Sequence, residues 1–228
     1  SHLADPALHR ALSLALDRES LARNVYGELA VPATGLVPPS IPGYRSGACG
    51  SACRLNVERA RQIVSRLPQR SRSFALDYSD SAVGTRLAES IAADLGEVGL
   101  NVTPRPHAEQ ELTTLLREGG QDVHCLVWVA DYPRQQAFLE PLLDSTSADN
   151  LAAFDDPSMD QALERARVTP NPTDREAQYR EVEELALADM PVVPLVWFRS
   201  HLAAKPYVSG FALDPLGRFD AASLALAG

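Results

Sequence analysis

Apolar residues recur along the chain at two spacings, and the spacings predict its elements. Leu8, Leu12 and Leu16 sit at helical intervals behind Asp5-Pro6, an N-cap followed by the proline favoured at the first helical position. Asp17 to Ser20 restarts a short helix that carries Leu21 and Val25 and ends at Gly27. Val57, Ala60, Val64 and Leu67 line one face of a helix opened by Asn56 and stopped by Pro68. Phe74, Leu76 and Tyr78 alternate with their neighbours, which predicts a strand. Val83, Leu87, Ile91, Leu95 and Val98 form the cleanest amphipathic helix, closed by Gly99. A short strand over 100–103 is expected to stop at Pro104 and Pro106, and Leu112, Leu115 and Leu116 mark a helix closed by Gly119-Gly120. Residues 123–129 are a continuous apolar run of buried-strand type.

Residues 55–129 thus read helix, strand, helix, strand, helix, strand. That alternation predicts an α/β fold with a mixed, mainly parallel sheet flanked by helices. Helices are expected around Phe138, Leu142 and Leu143, from Asp156-Pro157 to about Val168, and from a Thr173–Glu176 capping box to Asp189. An irregular or edge strand is expected over 190–198, which Pro191 and Pro194 interrupt. The tail from Pro206 reads as short extended pieces. The α/β core is assigned to 55–200. Residues 31–53, with four prolines and four glycines, read as an extended loop that is functional or wraps a surface.

With 228 residues the chain is long enough to bury a real core without metal or disulfide staples. It carries 21 Lys+Arg against 30 Asp+Glu, a net charge of −9, which argues against nucleic acid as a partner. No apolar run is long enough to insert in a membrane. The bases are almost all Arg, as a GC-rich, actinobacterial-like composition gives. Lys205, the one Lys, follows Ala204, so no Walker A loop exists. The sequence starts Ser1-His2, which reads as a cut site or tag remnant.

Cys49 and Cys53 flank Gly50, Ser51 and Ala52, small residues that let the backbone fold back, so the pair is a disulfide candidate or two free thiols. No His lies beside them, and no metal site is expected. Cys125, inside the apolar run, reads as a buried small hydrophobe. Zincin, nucleophile-elbow and dinucleotide-loop motifs are missing, and the five His are scattered. No cofactor is implied. A paired-carboxylate hydrolase stays open from sequence, because such pairing is spatial.

One segment carries candidate chemistry. Val127-Trp128-Val129-Ala130-Asp131-Tyr132-Pro133 places an acid between aromatics where an apolar run ends. Ligands of open α/β sheets gather at the carboxyl ends of strands. Asp131 there could pair with a ligand ammonium, or could serve as a loop residue or helix cap.

These residues resemble the extracellular solute-binding proteins of family 5, the dipeptide and oligopeptide receptors of ABC transporters. Trp128 to Tyr132 is similar to that family's Trp-x-Ala-Asp-Tyr segment, and Arg10 to Glu19 resembles its helix ending in Asp-Arg-Glu. Val31-Pro32-Ala33, Val37-Pro38-Pro39 and Pro42-Gly43-Tyr44 resemble the loop that follows. Asn150, Phe154, Asp160, Asp174-Arg175, Tyr179 and 191–195 fit its later part in order. The resemblance implies a periplasmic-binding type II fold, with this chain as the single C-terminal lobe and an N-terminal lobe missing. It implies a peptide or similar small solute as ligand and a transporter permease as partner of the whole receptor. Asp131 would pair with a peptide's amino group and Trp128 would line the pocket, with Tyr132 and Arg134 beside them. Arg134-Gln135 departs from the family's usual Asp-Pro and could neutralise Asp131 or favour an anionic ligand group. The Cys49/Cys53 pair is extra to the family pattern, and a disulfide there fits an exported location. The expected location is extracellular or in the cell envelope, anchored through the missing N-terminal part. The alternative is an extracellular sensor module of a membrane-tethered kinase or transcription regulator. An enzyme using Asp131 or Cys125 would need a paired base that the sequence does not display.

Overall fold

A computed structural model describes residues 3–210 and 212–226. Helix α1 (Pro6–Ala15) opens on Asp5, whose carboxylate accepts from the Ala7 N–H. Asp17 caps α2 (Arg18–Leu21), which loosens into a π turn over Ala22–Tyr26. Strand β1 (Ala30–Pro32) precedes the Pro/Gly-rich stretch, which is built of turns and ends in a 3-10 turn over Gly50–Cys53. Asn56 caps α3 (Val57–Val64). Then β2 (Ser73–Ser79), α4 (Ala82–Glu97), β3 (Asn101–His107), α5 (Glu109–Glu118) and β4 (Val123–His124) alternate.

The three strands form a parallel sheet in the order β3-β2-β4. The chain crosses to opposite sides of β2 in its two crossovers, so right-handed connections place α4 and α5 on opposite faces. Phe74, Leu76 and Tyr78 of β2 accordingly share an apolar cluster with Leu87, Ile91 and Leu95 of α4. The same cluster takes Leu8, Leu12 and Leu14 from α1, so this core reaches outside 55–200. A second cluster joins Val37 and Ile41 to α6 (Gln136–Leu143), α7 (Pro157–Val168) and α8 (Pro172–Asp189). Small antiparallel pairs complete the described fold: β1 with β5 (Val196–Phe198), and β6 (Val208–Ser209) with β7 (Ala225–Leu226).

Four local expectations need correction. Strand β3 continues through Pro104 and Pro106 instead of stopping there. It is an edge strand, and the Asn101 N–H donates to the Arg72 carbonyl at 2.7 Å. Odd-numbered residues therefore turn their N–H toward β2, and both prolines place the missing donor on the open side. The apolar run over 123–129 keeps only two strand residues. Its last rung is Cys125 N–H to the Asp77 carbonyl, 3.1 Å, and Leu126, Val127 and Val129 are exposed. An apolar run by itself does not say which side has a partner. Pro172 takes the first turn of α8, so Asn171 rather than Thr173 is the N-cap, accepting from the Thr173 and Asp174 N–H groups. Met190 is no strand residue: it ends α8 with φ +51° and its N–H bonds the Ala186 carbonyl. With Pro191 and Pro194 lacking donors, the strand shrinks to three residues.

Candidate functional site

The segment after β4 bridges the two apolar clusters. Val123 and Cys125 pack against the first, while Ala130 is buried in the second and Trp128 packs on it. The Trp128 indole N–H donates to the Ala137 carbonyl at 2.7 Å, which fixes the ring on α6 and spends its one donor. Trp128 therefore offers a ligand an apolar face only.

Beyond Ala130 the chain turns outward. Asp131 is exposed, and among the described residues no hydrogen bond or ion pair engages its carboxylate. Tyr132 is 42% exposed, and the Arg134 N–H closes a turn on its carbonyl at 2.9 Å. Partial burial, the Glu140 charge and the Asp131 charge push the Tyr132 hydroxyl up, while Arg134 opposes them. Asp131, Arg134 and Glu140 thus all act on one phenol. The Arg134 side chain is exposed, so the segment presents a free carboxylate and a guanidinium on either side of an aromatic ring. That arrangement can hold an ammonium, an anion, or both ends of a zwitterion.

Three residues outside that segment hold it in place. Gln135 is buried and its amide donates to the Gly43 carbonyl at 3.2 Å, which also accepts from Arg180 Nε at 3.2 Å. Gly43 has φ +86°, and a Cβ there would lie 2.3 Å from the Gln135 side chain. Only a residue without a side chain lets the Pro/Gly-rich loop approach so closely. In the sequence Pro42-Gly43-Tyr44 reads as part of the extended loop over 31–53, which does not reveal its contact with Gln135. Below, Glu140 accepts from Tyr179 Oη at 2.6 Å, Arg167 Nε at 3.2 Å and Gln136 Nε2 at 3.0 Å. Burial, then the bond to Glu140, pushes the Tyr179 hydroxyl well above its ordinary value.

The other singled-out residues lie elsewhere. Cys49 and Cys53 are joined as a disulfide with Cα atoms 5.7 Å apart, and Cys49 packs with Leu187 and Met190. Burial pushes the Cys125 thiol up to about 12, so it holds almost no nucleophilic thiolate at neutral pH. Sequence reasoning left His107 and His124 scattered, whereas the sheet gathers them around Asp77. Asp77 is buried, its Oδ1 accepts from His107 Nε2 at 2.7 Å, and its Oδ2 has no hydrogen-bond partner. His124 faces Asp77 in register, and burial lowers its pKa. Among the described residues no group of three or more His, Cys, Asp or Glu is placed to hold a metal, and no helix is long and apolar enough to cross a membrane. Two open dents lie over α5, lined in part by Gln110 and Thr114, one of them also by His107 and Glu111; Asp131, Tyr132 and Arg134 line neither.

Residues 1–150 match the family of bacterial extracellular solute-binding proteins, family 5 Middle. The di/tripeptide-binding protein 2 of Pseudomonas aeruginosa is 25% identical over 224 residues, 95% of this chain and 42% of that protein. The probable deoxycholate-binding periplasmic protein YgiS of Escherichia coli is 27% identical over 216 residues, 92% of this chain and 40% of that protein. The solved structure of HbpA2 from Haemophilus parasuis superposes with a TM-score of 0.88 at 20% identity, covering 99% of this chain and 46% of that one. The chain therefore spans less than half the length of these three relatives. The likeness establishes a type II periplasmic-binding fold, as the resemblance implied.

Proposed function

Because the chain belongs to the bacterial extracellular solute-binding proteins of family 5, we propose that it is the C-terminal lobe of a receptor that binds peptides or similar small solutes for an ABC importer. One observation carries the ligand assignment. Asp131 is an exposed carboxylate in the same segment as Tyr132 and the anchored Trp128 ring, and among the described residues no hydrogen bond or ion pair engages it. A solute bearing an ammonium and an apolar body fits that pairing, and Arg134 supplies a site for an acidic group. Relatives named for di- and tripeptides support a peptide, and one named for deoxycholate keeps the solute class wider. The role is binding rather than catalysis. In the whole receptor an N-terminal lobe would close over this surface and the permease would take the loaded protein. The receptor works outside the cytoplasm, tethered through the part that precedes this chain.

An open half-site gives weak binding, on the order of millimolar. The test is an amide NMR titration of the labelled chain with a tripeptide mixture and its N-acetylated counterpart. Saturable shifts at Trp128 and Asp131, weakened about tenfold by acetylation and by Asp131→Asn, are expected. Equal shifts with the acetylated mixture, or with the variant, would remove Asp131 from the site.

A further inference from the structure

A second surface has a charge pattern unlike the rest of the molecule. Residues 109–228 hold nine bases against twenty acids, whereas residues 1–108 hold twelve bases against ten acids. Within the latter, 54–72 contains six arginines (Arg54, Arg59, Arg61, Arg66, Arg70 and Arg72) and one acid, Glu58. Two of the six serve the fold. Arg61 pairs with Glu58 at 3.5 Å and donates to the Glu97 carbonyl at the end of α4. Arg72 donates to the Ser65 and Leu67 carbonyls after α3. Both therefore answer the negative ends of helices. Among the described residues the other four pair with no group of opposite charge. Arg54, Arg59, Arg66 and Arg70 are exposed, and the nearest thing to a partner is the neutral Gln62 amide oxygen bonded by Arg59 at 3.3 Å.

The four free guanidinium groups flank α3, which is eight residues and about 12 Å long. Arg54 precedes the helix, Arg59 lies on it, and Arg66 and Arg70 follow it. They are thus strung out over more than the reach of a single small anion. Leu55, 48% exposed, sits beside Arg54. A dispersed set of planar, permanently charged donors matches an array of phosphates spread over a surface. We propose that this face, 54–72, docks on the anionic phospholipid headgroups of a bilayer. The acidic remainder of the chain would be repelled and turned away, so the contact also orients the molecule. The attraction is electrostatic and is lost as salt shortens the screening length.

Vesicle co-sedimentation of the 228-residue chain tests this. Vesicles of phosphatidylcholine alone are compared with vesicles containing phosphatidylglycerol, at low and high sodium chloride. Each adsorbed Arg changes partitioning about fivefold. The variant with Arg54, Arg59, Arg66 and Arg70 all changed to Gln should lose on the order of 100-fold or more. A control variant changes the exposed Arg23, Arg86, Arg165 and Arg199 to Gln and has the same net charge; it should bind within a few-fold of the parent. Thermal melts of both variants report folding. Salt-sensitive binding to the anionic vesicles, lost only in the first variant, supports the proposal. Absent binding at low salt, equal binding to both vesicle types, or equal loss in the control overturns it. So does binding to polyglutamate with none to vesicles, which would make the partner an acidic polypeptide.

Discussion

Replacing Arg18 by methionine asks whether a buried cation stabilises this fold or burdens it. Arg18 is 4% exposed, and among the described residues no carboxylate pairs with it. Its guanidinium instead donates to the Pro194 carbonyl at 2.7 Å, the Ser13 carbonyl at 2.8 Å, Ser13 Oγ at 2.7 Å and the Cys53 carbonyl at 3.2 Å. One side chain thereby ties α1, the disulfide turn and the proline-interrupted 191–195 stretch together. Burial lowers its pKa to about 10 from an ordinary 12.5, which corresponds to a desolvation cost of about 3 kcal/mol. Hydrogen bonds to a charged group return roughly 1.5–3 kcal/mol each, so four outweigh that cost by at least about 3 kcal/mol. Methionine removes the cost and the bonds together, and it leaves three carbonyls without their donor. Arg18→Met is therefore expected to lose about 3 kcal/mol, a drop in Tm of roughly 6–12 °C for a chain of this size. Urea unfolding followed by Trp fluorescence and far-ultraviolet circular dichroism measures it, and coincidence of the two curves tests whether both apolar clusters unfold together. A variant as stable as the parent would refute the reasoning, because desolvation would then match or exceed the four bonds.

Other outcomes follow from single contacts. Burial pushes the Glu183 carboxyl up, opposed by the Val37 and Leu36 N–H groups, so the native state keeps its proton in a pH range where the unfolded chain has released it. Stability from this group is present below the ordinary value of 4.5 and is lost as pH rises through the native value; Glu183→Gln should flatten that fall in a Tm series from pH 4 to 8, and an unchanged slope would sink the assignment. Glu183→Ala strands the Leu36 and Val37 N–H groups and should cost about 2–4 kcal/mol by urea unfolding. The Cys49–Cys53 bridge closes so short a loop that Cys49→Ser with Cys53→Ser should cost only about 2 kcal/mol. Alkylation of the denatured chain should label one thiol before reduction and three after it; three before reduction would contradict the bridge. Gly43→Ala should lose about 1–3 kcal/mol, because φ +86° is strained for alanine and its Cβ collides with Gln135.

How legible the molecule is from its residues depends on the range of the interaction. Helices α1, α3 and α7 follow from caps and spacing, because Asp5, Asn56 and Asp156 each bond an N–H two or three residues on, and α4 follows from its spacing. The capping box failed by two residues for an equally local reason: Pro172 claimed the first turn. Strand ends were harder. Whether Pro104 stops a strand depends on whether its nitrogen faces a neighbour or the open edge, and only pairing decides that. The candidate site divides in the same way. Trp128, Asp131, Tyr132 and Arg134 lie in one short segment and could be named from the chain. Gln135, Gly43 and Arg180 come together from three distant stretches and could not.

By itself the sequence determined the alternation of elements, the mainly parallel α/β class, the family and the segment bearing Asp131. These rest on periodicity, caps and short motifs, which act within a few residues. The tertiary structure alone decided that, among the described residues, no hydrogen bond or ion pair engages Asp131 and no carboxylate pairs with the buried Arg18, that the Trp128 N–H is spent on Ala137, and that His107 and His124 meet Asp77. Those are questions of which donor meets which acceptor across the fold, and of how much water is left beside a charge. Both are settled only when distant segments pack.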